Sequence, residues 1–252
     1  MDFNPRYEAI LSIEPLIVVL FCTMVQNIFG VGILVFGTPV LLSLGYDFVT
    51  TLGILLPSSL LVSVTQIVTI KNAVFPTLKV FVHSVIGVAL GATLLITYCV
   101  PVFIYIVTAL AMLFAGGLRL RLDLRDRVGY WMARPYLKFY FLNGIFHGFS
   151  NLGGILLVLK NNLDTVDKNQ ALMSTASVYL IYVMSQIVVF LILGNHEPFR
   201  DGLVMSPLIA LFSIVLGNKP LTLLSVNVLD NALGIFFILV SFVLSYKVFH
   251  LI

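Results

Sequence analysis

The uncharged stretches of this chain govern what it can fold into. Residues 15–46, 48–70, 80–118, 139–159, 169–196, 202–218, 220–229 and 231–246 contain no Asp, Glu, Lys or Arg. A membrane-crossing helix needs about 20 apolar residues, within a range of roughly 17–25. Only 10% of the 252 residues are charged, against about 25% in a soluble domain. Too few charges remain to cover a water-facing surface, which excludes a soluble monomer. Disorder is excluded as well, because it needs low hydrophobicity and high net charge. The expected fold class is all-α, a polytopic membrane protein, which narrows function to transport, a channel, an intramembrane enzyme or a membrane assembly factor.

Eight transmembrane helices are expected. Residues 48–70, 139–159 and 169–196 hold one each, and the 39 residues of 80–118 hold two, divided at Tyr98-Cys99-Val100-Pro101. Proline suits a helix's first turn, so Pro101 should open the later of these. Residues 202–218 and 231–249 supply two more. The stretch 15–46 is too long for one simple span and is interrupted at Gly30-Val31-Gly32 and again at Gly37-Thr38-Pro39. It reads as a helix from Pro15 to Phe29, a backbone break and a second short helix. Residues 220–229 read as a similar short piece. No cleavable signal peptide is expected, since its charged start and small-residue cleavage site are missing. Cys22 and Cys99 both lie in apolar runs and read as packing residues.

With eight spans, the face of the N terminus carries Arg6, Lys71, Lys79, Arg119, Arg121, Arg125, Arg127, Arg134, Lys138, Arg200 and Lys247, 11 basic residues against the 3 opposite, Lys160, Lys168 and Lys219. Basic residues stay cytoplasmic. The expectation is therefore a multi-pass protein of the cell (inner) membrane with both termini cytoplasmic. The basic loop could bind nucleotide or anionic lipid. Its Asp123 and Asp126 alternate with arginines, which fits a solvated topology anchor better.

That loop, 119–135, separates two nearly equal transmembrane repeats, 1–118 and 136–252. Thr65-Gln66-Ile67-Val68 matches Ser185-Gln186-Ile187-Val188 at an offset of 120, and Gln26-Asn27-Ile28-Phe29-Gly30-Val31-Gly32 faces His147-Gly148-Phe149-Ser150-Asn151-Leu152-Gly153 at an offset of 121. Pro76 and Pro207 are expected to open the third helix of each half. Internal symmetry of this kind marks many transporter folds. Four spans per half make the halves parallel, whereas hairpins at the glycine breaks would make them inverted.

The glycine breaks are where chemistry could reside. Unwound backbone at membrane depth is tolerated only inside protein or beside water. A helix restarting there directs N–H groups and its positive dipole end inward, which favours an anion. Around the breaks stand Gln26, Asn27 and Thr38, then Asn143, His147, Ser150 and Asn151. Against this, small residues also serve ordinary membrane-helix packing, and the pair Gly144 and Gly148 fits that role. Gln66 and Gln186 must each face a partner or a cavity. Ser58, Ser59, Ser174, Thr175 and Ser177 could line the same space. His147 could carry a proton near neutral pH or be a satisfied interior histidine. His83 reads as structural, and Asp230 as a helix cap rather than a proton carrier. No Lys or Arg is expected inside a span. Hydrolase-elbow, zinc and nucleotide-loop motifs are missing, so the chain is read as a non-enzyme without metal or cofactor, and any pumping would draw on an ion gradient.

The run Gln26-Asn27-Ile28-Phe29-Gly30-Val31-Gly32 with the following Pro39, and the run Gly144-Ile145-Phe146-His147-Gly148-Phe149-Ser150-Asn151-Leu152-Gly153-Gly154, resemble the two glycine-rich signatures of the TauE/SafE family, the sulfite exporter and sulfonate permease group. The resemblance extends over essentially the whole chain. It implies transport of sulfite, sulfoacetate or another organosulfonate across the cytoplasmic membrane. The site expected between the breaks comprises Gln26, Asn27, Gly30, Gly32, Thr38, Gln66, His147, Ser150, Asn151, Gly153, Gly154 and Gln186. The expected function is secondary transport, as an exporter, of such a small anion by alternating access between the repeats. The expected partners are the anionic substrate, the lipid bilayer and a coupling ion (H+ or Na+); a homodimer is compatible with the reading and nucleic acid is not expected. The rival reading is a non-transporting membrane assembly or scaffold protein in which the glycines serve packing.

Overall fold

A computed structural model describes residues 13–69, 75–98, 101–121, 127–129, 136–165, 167–193, 196–216 and 226–251. Outside these lie Cys99, Arg6, Lys71, Lys219, residues 220–225 and most of the basic loop, with Asp123, Arg125, Asp126 and Arg134. The side chain of Asp230 also falls outside the description.

Among the described residues every regular element is a helix, with no strand. The helices are α1 (Ile13–Phe29), α2 (Ile33–Leu44), α3 (Phe48–Thr69), α4 (Leu78–Tyr98), α5 (Pro101–Leu120), α6 (Tyr136–Ser150), α7 (Gly153–Asp164), α8 (Lys168–Ile192), α9 (His196–Leu216) and α10 (Val226–Leu251). Six of them, α3, α4, α5, α8, α9 and α10, hold segments long and apolar enough to cross a membrane. The chain is a multi-pass membrane protein. Its lipid-facing character shows in the side chains left outside: Val68, Leu110, Val215, Phe242 and Phe249 are all exposed.

Several expectations change in detail. Pro101 does open α5, and Pro76 stands just before α4. Gly37-Thr38-Pro39 is no break, because Pro39 lies inside α2. Pro207 does not open a helix either; it lies within α9, which starts at His196. Residues 139–159 are not one span, since the chain breaks after Ser150 and restarts at Gly153.

The two breaks reverse the chain. Positions ten apart in a straight helix are about 15 Å apart. Yet a Cβ built on Gly32 would lie 2.6 Å from the Cys22 carbonyl oxygen and 2.5 Å from the Gln26 nitrogen. Likewise a Cβ on Gly153 would lie 2.9 Å from the Asn143 oxygen and 2.5 Å from the His147 Cβ. α2 therefore folds back on α1, and α7 on α6. Each pair is a helical hairpin.

Long helices hold these hairpins in place. Gly202 of α9 abuts Gly53 and Ile54 of α3, while Ser213 of α9 reaches Thr65 of α3, so α3 and α9 run parallel. Gly116 of α5 abuts Gly234 and Ile238 of α10, and the Ser241 hydroxyl donates to the Ala109 carbonyl, so α5 and α10 run antiparallel. α4 and α6 run parallel in the tightest contact. Gly87 and Gly91 face the Phe141 and Ile145 carbonyls, and Gly148 faces the Val88 carbonyl. Lipid tails are as apolar as leucine, so membrane helices gain from packing rather than from expelling water, and glycines let backbones touch. The packing reading of Gly144 and Gly148 is the one the geometry supports.

Candidate functional site

The two hairpin elbows share one backbone construction. Gly30 has φ +77° and Asn151 has φ +63°, the left-handed region, at positions 121 apart. Each closes its first helix in the same way: the Gly30 N–H donates to the Gln26 carbonyl at 2.8 Å, and the Asn151 N–H to the His147 carbonyl at 2.7 Å. A left-handed residue is the ordinary way to end a helix, and glycine and asparagine are the residues that tolerate it. Two residues later a glycine, Gly32 or Gly153, lets the returning helix lie against the one it left. Gly154 is closely packed too: a Cβ there would stand 3.0–3.1 Å from the side chains of Val35, Tyr179 and Val31. The starts of α2 and α7 thus pass side by side deep in the protein.

The first elbow is closed by its own side chains. Gln26 accepts from the Ile33 N–H at 3.0 Å, capping the start of α2, and donates to the Ser63 hydroxyl at 3.1 Å. Gln66 of α3 donates to the Gln26 carbonyl at 2.6 Å. Asn27 is turned toward α9. It donates to the Ser213 carbonyl at 3.1 Å and accepts from the Ser213 hydroxyl at 2.8 Å.

The second elbow has the same framework with looser filling. Gln186 of α8, the counterpart of Gln66, donates to Asn151 Oδ1 at 2.6 Å. Asn151 donates to the Thr38 hydroxyl at 2.9 Å, tying the second elbow to α2 of the first hairpin. Asn143 donates to the Gly153 carbonyl at 3.0 Å and to the Tyr182 hydroxyl at 3.2 Å. Ser150 is committed locally: its hydroxyl donates to the Phe146 carbonyl at 2.6 Å and accepts from the Leu152 N–H at 3.2 Å. His147 stands where the first elbow has its capping glutamine. It is 0% exposed; the Gln186 side chain faces its ring, yet neither ring nitrogen lies in hydrogen-bond geometry with any group. The rings of Tyr179 and Tyr182 flank it at 5.5 Å and 4.9 Å. The Tyr179 hydroxyl faces Ser59 without forming a hydrogen bond, and Ser58, Ser177, Gln66 Oε1 and Gln186 Oε1 are buried and unpartnered as well. Native interiors leave few such groups, so their concentration around the hairpins is a positive feature.

The expected residues are therefore brought together, with Asn27 and Ser150 occupied elsewhere. Tyr179 and Tyr182 were not anticipated. Their signal was present: Thr175, Tyr179, Tyr182 and Gln186 fall on one face of α8 by helical spacing. The expected absence of interior cations needs correction. Lys160 lies in α7, 3% exposed, paired with Asp164 at 2.8 Å and near the Tyr136 and Phe139 rings. Arg119 stands over Phe29, the last residue of α1, at 5.2 Å from the ring centre. Both were assigned to loops because uncharged runs end at them.

A cavity of about 250 Å³ opens beside Lys160's partner, Asp164. Phe75, Tyr136, Tyr140, Gln170, Ser174 and Val178 help line it, Val178 lying one helical turn before Tyr182. Thr175, beside Ser174, accepts from Asn161 at 2.9 Å. No group of His, Cys, Asp and Glu among the described residues could hold a metal ion. No family model, curated protein or solved structure matches the chain.

Proposed function

We propose that the protein is a secondary transporter, an exporter, of a small sulfur-containing or organic anion such as sulfite or an organosulfonate. One observation carries the reading: two elbows of one construction set the N-terminal ends of α2 and α7 deep among buried polar groups whose hydrogen bonding is incomplete. Such helix ends favour anions. Binding would complete those bonds, and movement of one half against the other would switch access. Flux of labelled sulfite or sulfoacetate in proteoliposomes of the purified protein tests this. Saturable flux above empty vesicles is expected; its absence from folded protein would select the scaffold reading instead. That second reading draws on the α4–α6 glycine contacts, which need no substrate to explain them.

We read 1–118 and 136–252 as inverted copies. Each hairpin is followed by three long helices, an odd number of crossings, so the second copy enters from the opposite face. The basic loop's face then carries Lys71, Lys79, Arg119, Arg121, Arg125, Arg127, Arg134, Lys138, Lys160, Lys168 and Lys219, 11 residues against Arg6, Arg200 and Lys247, which are 3. The ratio matches that for eight crossings, yet it now puts the start of α1 and the end of α10 outside the cytoplasm. In protein lacking Cys22 and Cys99, an impermeant maleimide should label Phe249→Cys in intact cells and Lys138→Cys only after permeabilisation. The reverse pattern would reject the inverted arrangement.

A further inference from the structure

The two elbows differ at the start of the returning helix, and that difference bears on how an anion could be held. At the first elbow Gln26 fills the start of α2, donating and accepting at once. At the second elbow the Ser150 hydroxyl takes the Leu152 N–H at 3.2 Å, and no glutamine stands in the place of Gln26. What stands there is His147, wholly buried, its backbone and Cβ against Gly153, its two nitrogens unpartnered. A neutral imidazole has one donor and one acceptor nitrogen. Protonated, it has two donors and a charge, and it then requires a negative partner at this depth.

An anion at the start of α7 faces the mirror problem. Neither ring nitrogen of His147 is bonded to a Lys or Arg. Helix-end amides compensate only about half a charge. An uncompensated ion in a low-dielectric interior is costly, whereas an ion pair adds no net charge. Facing His147 are Tyr179, Tyr182 and the Gln186 amide of α8, with Cys22 of α1 near Tyr179; α7 packs Gly153 against it and α4 places Ser84 beside Tyr182. None of these supplies a positive charge. A proton arriving with the anion does.

Resting on the transporter reading above, the geometry points to the second elbow as the substrate subsite, where a monovalent oxyanion binds the start of α7 together with one proton on His147, the first elbow being occupied by its own Gln26. The proton moves from solvent to an imidazole nitrogen, the anion is unchanged, and the site gains no net charge. The hydroxyl of Tyr182, bonded to Asn143 at 3.2 Å and reaching toward the Tyr140 carbonyl at 3.5 Å, links the histidine's neighbourhood to the cavity that Tyr140 lines. That cavity is the approach from the basic-loop face.

Methanesulfonate, which stays ionised across the useful pH range, is the probe. Its binding to the purified full chain is measured in weakly buffered detergent solution. The wild type should take up one proton per anion bound, with affinity falling about tenfold per pH unit on the alkaline side, as a one-proton linkage requires. In His147→Gln the remaining binding should be weaker and independent of pH. Binding to the wild type without proton uptake overturns the proposal, and does so even if the variant does not fold. A variant keeping the wild-type pH slope also overturns it. If sulfite or sulfoacetate flux is present while methanesulfonate binding takes up no proton, this inference falls and the transporter reading stands. If the wild type shows neither binding nor flux, both fall.

Discussion

Gly91→Val should be strongly destabilising, lowering the thermal midpoint far more than a surface truncation on the same helix. The Gly91 Cα faces the backbone of Ile145 in α6, and a Cβ built there would fall inside the van der Waals envelope of the Ile145 carbonyl oxygen. The obstacle is main chain, not the end of a flexible side chain. Relief therefore demands that α4 and α6 separate along their length. Gly87 and Gly148 are set against the facing backbone in the same contact, so a local separation would also open those. Overpacking a well-packed site typically costs about 1–3 kcal/mol, occasionally more, and a β-branched residue against backbone belongs at the top of that range. Total stabilities are only about 5–15 kcal/mol. The measurement is the thermal midpoint and yield of purified protein, with Leu90→Ala as reference. Leu90 is 46% exposed on the same helix, so its truncation should move the midpoint little. A Gly91→Val midpoint equal to that of the reference would mean that α4 and α6 do not touch through backbone. Because α6 is the first arm of the second hairpin, its placement against α4 also positions His147. The packing glycines and the candidate site are thus mechanically one unit.

How much of this could be read from the residues varies with the kind of signal. The long helices follow from uncharged runs, since no other fold satisfies every backbone polar group in lipid. Pro101 marked a boundary correctly because a proline fits a helix's first turn, where its missing N–H has no intrahelical partner to lose. Pro39, Pro57 and Pro207 do not mark boundaries; all three lie inside helices. In a membrane interior neighbouring groups can re-satisfy a freed carbonyl, so proline loses its value as a stop signal. The elbows were located by glycine spacing, but their sense was not. Gly30-Val31-Gly32 is equally consistent with a kinked span and with a reversal; the choice rests on Gly32 meeting Cys22, a long-range contact that no local pattern encodes. Lys160 was misplaced for a related reason. A lysine at the edge of an apolar run reads as a loop residue; Asp164 stands one turn on in the same helix, but only the return of α7 against α6 brings Tyr136 and Phe139 around it. The match at offset 121 had more content than its residues alone suggested, because it pairs a glycine with an asparagine that share the same left-handed backbone.

Asn151→Ala should be markedly destabilising, and Asn151→Gly less so. Asn151 combines two roles that Gly30 does not. Its backbone is left-handed, φ +63°, and its side chain joins Gln186 of α8 to Thr38 of α2. Alanine removes both bonds and keeps a Cβ in a conformation that costs an ordinary residue roughly 1–2 kcal/mol. The Gln186 amide, whose Oε1 already lacks a partner, would then have none on either end, at about 1–3 kcal/mol for each buried group stranded. Glycine loses the same bonds but pays no steric cost for its backbone, so the two variants should differ by about 1 kcal/mol or more, alanine being the worse. Denaturation midpoints of the two purified variants, compared pairwise, isolate that backbone contribution. Equal midpoints would mean the elbow relaxes out of the left-handed region when the side chain is lost, so that the hydrogen bonds hold the turn. The counterpart in the first elbow should behave differently. Gly30→Ala leaves every elbow hydrogen bond in place, yet its Cβ would sit 3.0 Å from a Leu172 methyl and 3.1 Å from the Leu172 carbonyl oxygen. Its cost comes from conformation and crowding against α8. Side-chain bonds hold both elbows, but only in the second do they come from the left-handed residue itself, and the second is the one that a bound anion, by competing for those bonds, could open.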